Sequence, residues 1–401
     1  MIEETLKELA ENTFQDFLFG NESIDERDFV LKHKNLFGIA SSIIANQLVG
    51  RRKAKTKLPS FYKTKGIVYP PSTNLEQSSS EATALFKAEI IKQHITNNSP
   101  TCVDLTGGLG IDSFFLSKIC SSFLYVEKEK EVKQLAAHNH TLLGVNNIEY
   151  HCTDAEQFIQ STKNTFDFIF IDPSRRKKNQ KVFKFADCEP LLDKILPTLF
   201  ELTNYVLIKS SPLMDLQQGI KELTFVKSVY VVSVGNECKE VLFLCEKDFA
   251  GEPIIHCVEL TSSIDPIKFT FVKERNATVN YSEPLEYLYE PNSSILKAGA
   301  FKLIAQQFEL MKLQANTHLY TSHSLIKNFP GRVFKIEKIN PTVSDIKKYL
   351  PDGKANIVTR NYPLSVEELK KKMKLKDGGD WFVIATSASK KIILIAKIIA
   401  F

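Results

Sequence analysis

Between Thr101 and Glu246 the chain alternates short β-branched, apolar runs with stretches whose apolar residues recur every three or four positions. The runs predict strands near 101–105, 122–127, 147–152, 166–172, 203–209, 226–234 and 239–246. The stretches between them predict helices near 111–119, 129–143, 154–161, 186–200 and 213–222. Five strand–helix units in succession imply a mostly parallel sheet with helices on both faces. The last two strands, KSVYVVSV and KEVLFLCE, are separated only by the Gly235-Asn236 region. That is too little for a crossover helix, so they are expected to form an antiparallel hairpin.

The flanks follow other rhythms. Residues 1–58 read as helical, with Ile2, Leu6, Leu9 and Thr13 on one face of the first helix. Pro70-Pro71 breaks regular structure, and Ser80 with Thr83 caps a helix whose apolar face is expected at Leu85, Phe86, Ile90 and Ile91. Beyond the hairpin, 258–260 and 269–272 are strand-like, and a helix is expected from about Ser294 to Phe308. From Arg332 the pattern predicts strand 332–339, helix 342–350, strand 354–361, helix 365–375, then strands 380–387 and 390–399. Ser365 with Glu368 three residues later matches a capping box. The apolar tail IILIAKIIAF is too short to span a bilayer and reads as a buried terminal strand.

Composition changes this picture in two places. The formal net charge of +5 is unevenly placed: residues 332–376 carry twelve Lys/Arg against five Asp/Glu, leaving the rest of the chain slightly acidic. A local basic surface points to an anionic partner. A second basic run, Arg51, Arg52, Lys53, Lys55 and Lys57, is either a solvated helix end or an RNA-facing patch. The seven cysteines are scattered without a C-x-x-C pair, which fits reduced thiols in the cytoplasm better than a disulfide framework or a zinc site. The N-terminus lacks the basic start and apolar segment of a signal peptide. His138 and His140 stand two apart on a predicted helix and make a poor metal pair, so no metal is expected.

The candidate chemistry gathers at the carboxyl ends of the predicted strands, where parallel sheets bind ligands. The first strand ends at Asp104 and enters a glycine-rich turn at Gly107, Gly108 and Gly110, as in a nucleotide-binding unit. Glu127 ends the second strand, placed to bond a ribose hydroxyl, and Asp154 with the Ala155 amide follows the third, placed to read an adenine amino group. Each acid alone is more simply a helix cap or a surface charge, but three at the ends of consecutive strands point to a ligand. After the fourth strand comes Asp172-Pro173, then Ser174 and a basic run of Arg175, Arg176, Lys177, Lys178, Lys181 and Lys184. Six basic residues in ten without an acid suit phosphate binding, or form a solvated loop. Lys209 ends the fifth strand on the same edge. Cys238, in the hairpin turn, is a candidate nucleophile but more simply a structural cysteine.

Seven stretches together resemble the class I S-adenosylmethionine-dependent methyltransferases that carry a C-terminal THUMP-like domain: LEQSSSEAT (75–83), VDLTGGLGID (103–112), YVEKEKE (125–131), IDPSRR (171–176), KSSPLMDL (209–216), EPNSSILKAGAF (290–301) and RNYPLSVEELKKK (360–372). A parallel sheet closing in an antiparallel hairpin is also the arrangement of that class rather than of dehydrogenases. The resemblance implies an α/β protein with a Rossmann-like seven-stranded sheet. It divides the chain into a helical N-terminal region (1–95), a methyltransferase domain (96–247), a ferredoxin-like linker domain (248–328) and a THUMP-like α+β domain (329–401).

The resemblance also implies S-adenosylmethionine as cofactor, held by Gln77, Thr83, Asp104, Thr106, Gly107, Gly108, Gly110, Asp112, Glu127, Asp154, Ala155 and Asp172. Asp172, Pro173, Arg175 and Lys209 would surround the acceptor. RNA, tRNA or rRNA, would be held by the 175–184 cluster together with Arg360, Lys370, Lys371 and Lys372. Amino-group methyltransferases usually continue Asp/Asn-Pro with Pro and an aromatic, whereas Ser174 and Arg175 stand here, so the acceptor atom stays open. Two other readings compete: a non-catalytic RNA-binding protein that keeps the fold, and a methyltransferase acting on a protein or small molecule. A nicotinamide dehydrogenase is disfavoured by the terminal hairpin and by the absence of an obvious hydride-transfer acid/base pair in this sequence.

Overall fold

The computed structural model describes residues 3–175 and 184–399, apart from the side chains at 3, 4 and 175. The chain forms two compact units, residues 1–227 with 241–251 and residues 228–240 with 252–401. No described helix is long and apolar enough to cross a membrane.

In the first unit five parallel strands build the sheet: β1 (Thr101–Asp104), β2 (Ser122–Val126), β3 (Ile148–His151), β4 (Phe168–Ile171) and β5 (Tyr205–Ser210). Their order is β5-β4-β1-β2-β3, so the chain reverses direction across the sheet between β1 and β4. A crevice outside the strand ends at such a reversal is where open α/β sheets bind ligands. The strands are nearly continuous apolar runs, as burial on both faces demands: Phe168, Ile169, Phe170 and Ile171 are all buried.

The expected hairpin forms from β6 (Val226–Val234) and β7 (Glu237–Glu246), with Gly235 and Asn236 both at positive φ in the two-residue turn. The outer half of β7 runs antiparallel to β5. In the second unit β6 is followed outward by parallel β8 (Ile254–Glu259) and antiparallel β9 (Ile267–Phe269). The strand expected at 269–272 ends at Phe269, because Thr270 caps a helix over Phe271–Asn276.

The N-terminal helices pack Leu6, Leu9, Phe14, Leu18, Phe29, Ile44 and Leu48 into one apolar cluster. Of the five basic residues in helix Ser41–Lys57, four are bonded within the protein and Lys55 is exposed. Arg51 is buried on Glu22 (2.5 Å) and between the rings of Phe19 and Tyr62, Arg52 and Lys53 bond Glu26 and Glu76, and Lys57 bonds the Leu75 carbonyl. The helix Glu81–Lys92 does close a Ser80–Thr83 capping box, but its buried face is Thr83, Ala84, Lys87, Ala88, Ile90 and Ile91. Leu85, expected inside, is 47 % exposed.

The rest of the second unit is a seven-stranded sheet from β10 (Tyr287–Pro291), β11 (Met311–Gln314), β12 (Thr317–Ser322), β13 (Gly331–Ile339), β14 (Asn356–Thr359), β15 (Trp381–Ser387) and β16 (Lys391–Ile399). Its order is β11-β12-β10-β13-β16-β15-β14, antiparallel except for β14 on β15. The terminal strand β16 lies inside the sheet with Ile392, Leu394, Ile395 and Ala396 buried. The helix expected over 294–308 is two short ones, Ser293–Ala298 and Leu303–Gln307, divided where Gly299 adopts φ +83°. Helix Val366–Met373 carries the Ser365–Glu368 capping box.

Candidate active site

The glycine turn after β1 is held by what surrounds it. A Cβ on Gly107 would stand 2.2 Å from the Tyr125 ring, and one on Gly110, at φ +75°, 2.6 Å from His140. No other residue fits those positions without displacing a packed ring. Gly108, at φ +52°, faces open space, with nothing nearer than Thr106 O at 3.7 Å. The Tyr125 hydroxyl donates to Gly108 O (2.5 Å). His140 donates from Nε2 to Gly110 O (2.8 Å), which fixes its tautomer and leaves Nδ1 to accept from Tyr150 (2.9 Å). Burial pushes the His140 pKa down to about 4.

Asp104 lies beneath this turn, 1 % exposed. Its carboxylate accepts from Thr106 N (2.9 Å) and from Ser113 Oγ (2.6 Å). Burial raises its pKa to about 7; the Ser113 and Thr106 bonds oppose that, and nearby Asp112 and Asp172 add to it. Thr106 joins two strand ends, since its hydroxyl donates to Asp104 (3.3 Å) and accepts from Asp172 N (2.6 Å). Glu127 is gripped by two backbone amides, Gly108 N (2.9 Å) and Glu129 N (2.8 Å), and keeps further acceptor capacity on both oxygens.

A line of alternating charge runs beside the turn. Lys87 Nζ, with no exposure, lies 3.1 Å from Asp112, and the same carboxylate accepts from Ser79 (2.7 Å). Lys209 Nζ lies 3.7 Å from Asp112 and 2.6 Å from Asp172. Burial works to raise the Asp112 pKa, yet Lys87 and Lys209 together hold it below the ordinary carboxylate value. Asp104, Thr106, Gly107, Gly108, Gly110, Asp112, Glu127, Asp172 and Lys209 are thus joined through one turn and its contacts.

The other expected residues make local contacts of their own. Asp154 caps helix Ala155–Ser161 through Gln157 N (2.8 Å). Thr83 is buried within its capping box, and Gln77 is exposed at the end of helix Ser72–Gln77. Pro173 leads into a two-stranded ribbon in which Ser174–Arg175 pairs with Cys188–Glu189. Arg176, Lys177, Lys178 and Lys181 lie outside the described residues; Lys184 is exposed. Of the distal basic residues, Arg360 bonds Glu290 (2.7 Å) and Lys370 bonds Glu367 (2.8 Å) and Asp377 (2.5 Å), while Lys371 and Lys372 are exposed. Cys238 is partly buried, and burial pushes its thiol up to about 11, which favours the thiol over the thiolate at neutral pH.

Sequence reasoning missed Lys87, His140 and Tyr125. Lys87 left a trace: it sits four residues after Thr83 and four before Ile91, on the apolar face of its helix.

Family models match three stretches of the chain: one described as conserved hypothetical protein 95 over residues 67–225, a ferredoxin-like domain over 287–330 and a THUMP domain-like module over 331–397. Among solved structures, a protein of Porphyromonas gingivalis W83 assigned as a methyltransferase is 31% identical, covers 99% of each chain and superposes with a TM-score of 0.84. Two others overlap in part. A SAM-dependent methyltransferase from Agrobacterium tumefaciens is 21% identical over 32% of this chain and 44% of that one, with a TM-score of 0.26. An rRNA methylase from Streptococcus thermophilus is 12% identical over 40% and 94%, with a TM-score of 0.30. At those scores the partial overlaps carry no argument. No curated protein matches significantly.

Proposed function

The chain belongs to the class I methyltransferase family that carries C-terminal ferredoxin-like and THUMP-like domains, and on that premise we propose that it transfers a methyl group from S-adenosylmethionine to RNA, a tRNA or rRNA nucleobase. The observation that carries this reading is the Lys209–Asp172 ion pair beside the glycine turn, joined to Asp104 through Thr106.

The residues present fit the cofactor. The Gly108 backbone is open to close approach, and Glu127 has acceptor capacity for a ribose diol. When bound, S-adenosylmethionine supplies an electrophilic methyl group for in-line displacement. The chain's own residues supply position. Thr106 holds the Asp172 amide, Pro173 stiffens the turn, and Lys209 orients the Asp172 carboxylate so that it can accept a hydrogen bond from the acceptor amine or ring nitrogen. Asp104, which is buried, shapes the turn from below. RNA is the favoured acceptor because the THUMP-like module carries Lys347, Lys348, Lys371 and Lys372 exposed on its helices.

The test is tritium transfer from methyl-labelled S-adenosylmethionine to total RNA. Transfer that is lost in Asp172→Ala, while that variant melts like the wild type, supports the reading. Labelling of protein or small-molecule fractions without RNA would replace it with the corresponding acceptor class.

A further inference from the structure

Glu290 on β10 is a buried carboxylate with two arginines on it. Its side chain is 4 % exposed, yet it is reached by Arg332 from the adjacent strand and by Arg360 from just beyond β14, with three strands of the sheet between. Arg332 bonds Oε2 through Nε (2.8 Å) and also through Nη2; Arg360 bonds Oε1 through Nε (2.7 Å) and Nη2 (2.7 Å). Each oxygen takes one guanidinium.

The alternation of the strands explains why they meet. Leu288, Phe334, Ile384, Leu394 and Ala396 share one apolar cluster, with Val358 and Phe382 packed against it. Glu290, Arg332 and Arg360 lie two residues beyond Leu288, two before Phe334 and two beyond Val358, on the same face. They therefore form the polar end of that apolar face. Thr386, on the same face and beside Arg360 across the parallel pair, has a buried hydroxyl without a partner among the described residues.

One counter-charge would satisfy Glu290. The second arginine leaves the cluster at a net +1, and both arginine side chains remain partly open, Arg332 at 31 % and Arg360 at 44 % exposure. Arg360 Nη1 also donates to Thr359 O (3.0 Å), so both cations are planar, held in place and partly open, which suits a tetrahedral phosphate. We propose that Arg332 and Arg360, held in place by Glu290, are a clamp for a backbone phosphate of the RNA substrate. The clamp rests on the RNA reading above. Glu290 is its positioning residue, and it joins the ferredoxin-like stretch to the THUMP-like one.

The experiment measures anisotropy of a labelled unmodified tRNA transcript with the full-length protein, as wild type, Arg332→Lys, Arg360→Lys and Glu290→Gln. The lysine variants keep the charge and lose the fork, so each should weaken binding about tenfold. Glu290→Gln raises the cluster to +2, so a purely electrostatic patch would bind more tightly; a clamp built by Glu290 binds more weakly. Thermal melts confirm that each variant is folded, and the lysine variants carry the test if Glu290→Gln is not. Wild type that binds RNA together with lysine variants that bind equally well overturns the clamp and leaves the RNA reading standing. Wild type that does not bind RNA at low salt overturns both. In a separate arm, inorganic phosphate that raises the melting temperature of the wild type alone, with RNA affinity equal across variants, assigns the site to a small free anion and overturns the proposal.

Discussion

Lys87 and Asp112 form an ion pair in which the ammonium is wholly buried, 3.1 Å from the carboxylate. The pair anchors a line of alternating charge that passes through Lys209 to Asp172 at the strand ends. Burial of one such charge alone costs several kcal/mol, so each member depends on the next.

Removal of one partner exposes that dependence. Lys87→Met should lower unfolding free energy by about 3–5 kcal/mol, because Asp112 then stays buried with its nearest cation gone. Adding Asp112→Asn should recover part of the loss. Urea denaturation of the two variants decides it, and an unchanged midpoint in Lys87→Met would refute the account.

The glycine turn makes a steric prediction. Gly107→Ala places a methyl 2.2 Å from the Tyr125 ring and should destabilise by about 1–3 kcal/mol. Gly20→Ala, at a helix end with nothing within 4 Å, is the control and should be neutral or slightly stabilising. Equal melting temperatures for both variants would count against the packed turn.

Asp104 predicts a pH effect with a definite sign. Its folded pKa is about 7 against an ordinary 3.8, so between those values the folded state holds a proton that the unfolded state releases. Its contribution to stability is therefore lost as pH rises through that window. The stability of Asp104→Asn relative to the wild type should grow from about pH 4 to pH 7 and then level off. Buried neutral His140, with a pKa near 4, acts in the opposite sense below pH 6.5, but it is common to both proteins and cancels in the difference. A difference that stays flat across this range would contradict the burial argument.

The exposed lysines of helix Val366–Met373 predict a salt effect. Lys371→Glu with Lys372→Glu should weaken RNA binding and reduce the slope of log affinity against log salt by about 2. Lys370, already bonded to Glu367 and Asp377, should change that slope little when replaced by Gln. Titrations at several salt concentrations measure both; identical slopes would remove these lysines from the RNA surface.

Much of the fold was legible along the chain because its signals are local. Strand 226–234 is found at its expected bounds, and β1 to β5 within two residues of theirs, since alternating apolar runs and glycine turns are set by neighbours in sequence. Helix 294–308 misread because a regular apolar spacing hid a left-handed glycine at 299.

Candidate acids at the strand ends were likewise visible, as were Thr106, Asp112 and Lys209. Their partners were not. That Lys87 rather than Leu85 faces inward follows from Asp112 standing opposite, twenty-five positions along the chain. Arg360 likewise reads as a free surface cation until the sheet brings it to Glu290, seventy positions away. The sequence by itself determined the order of elements and the residue types at the strand ends, because those depend on short-range periodicity. Tertiary structure alone decided which charges are paired and which stay open to a ligand, because a buried charge is tolerable only beside a partner that the fold delivers.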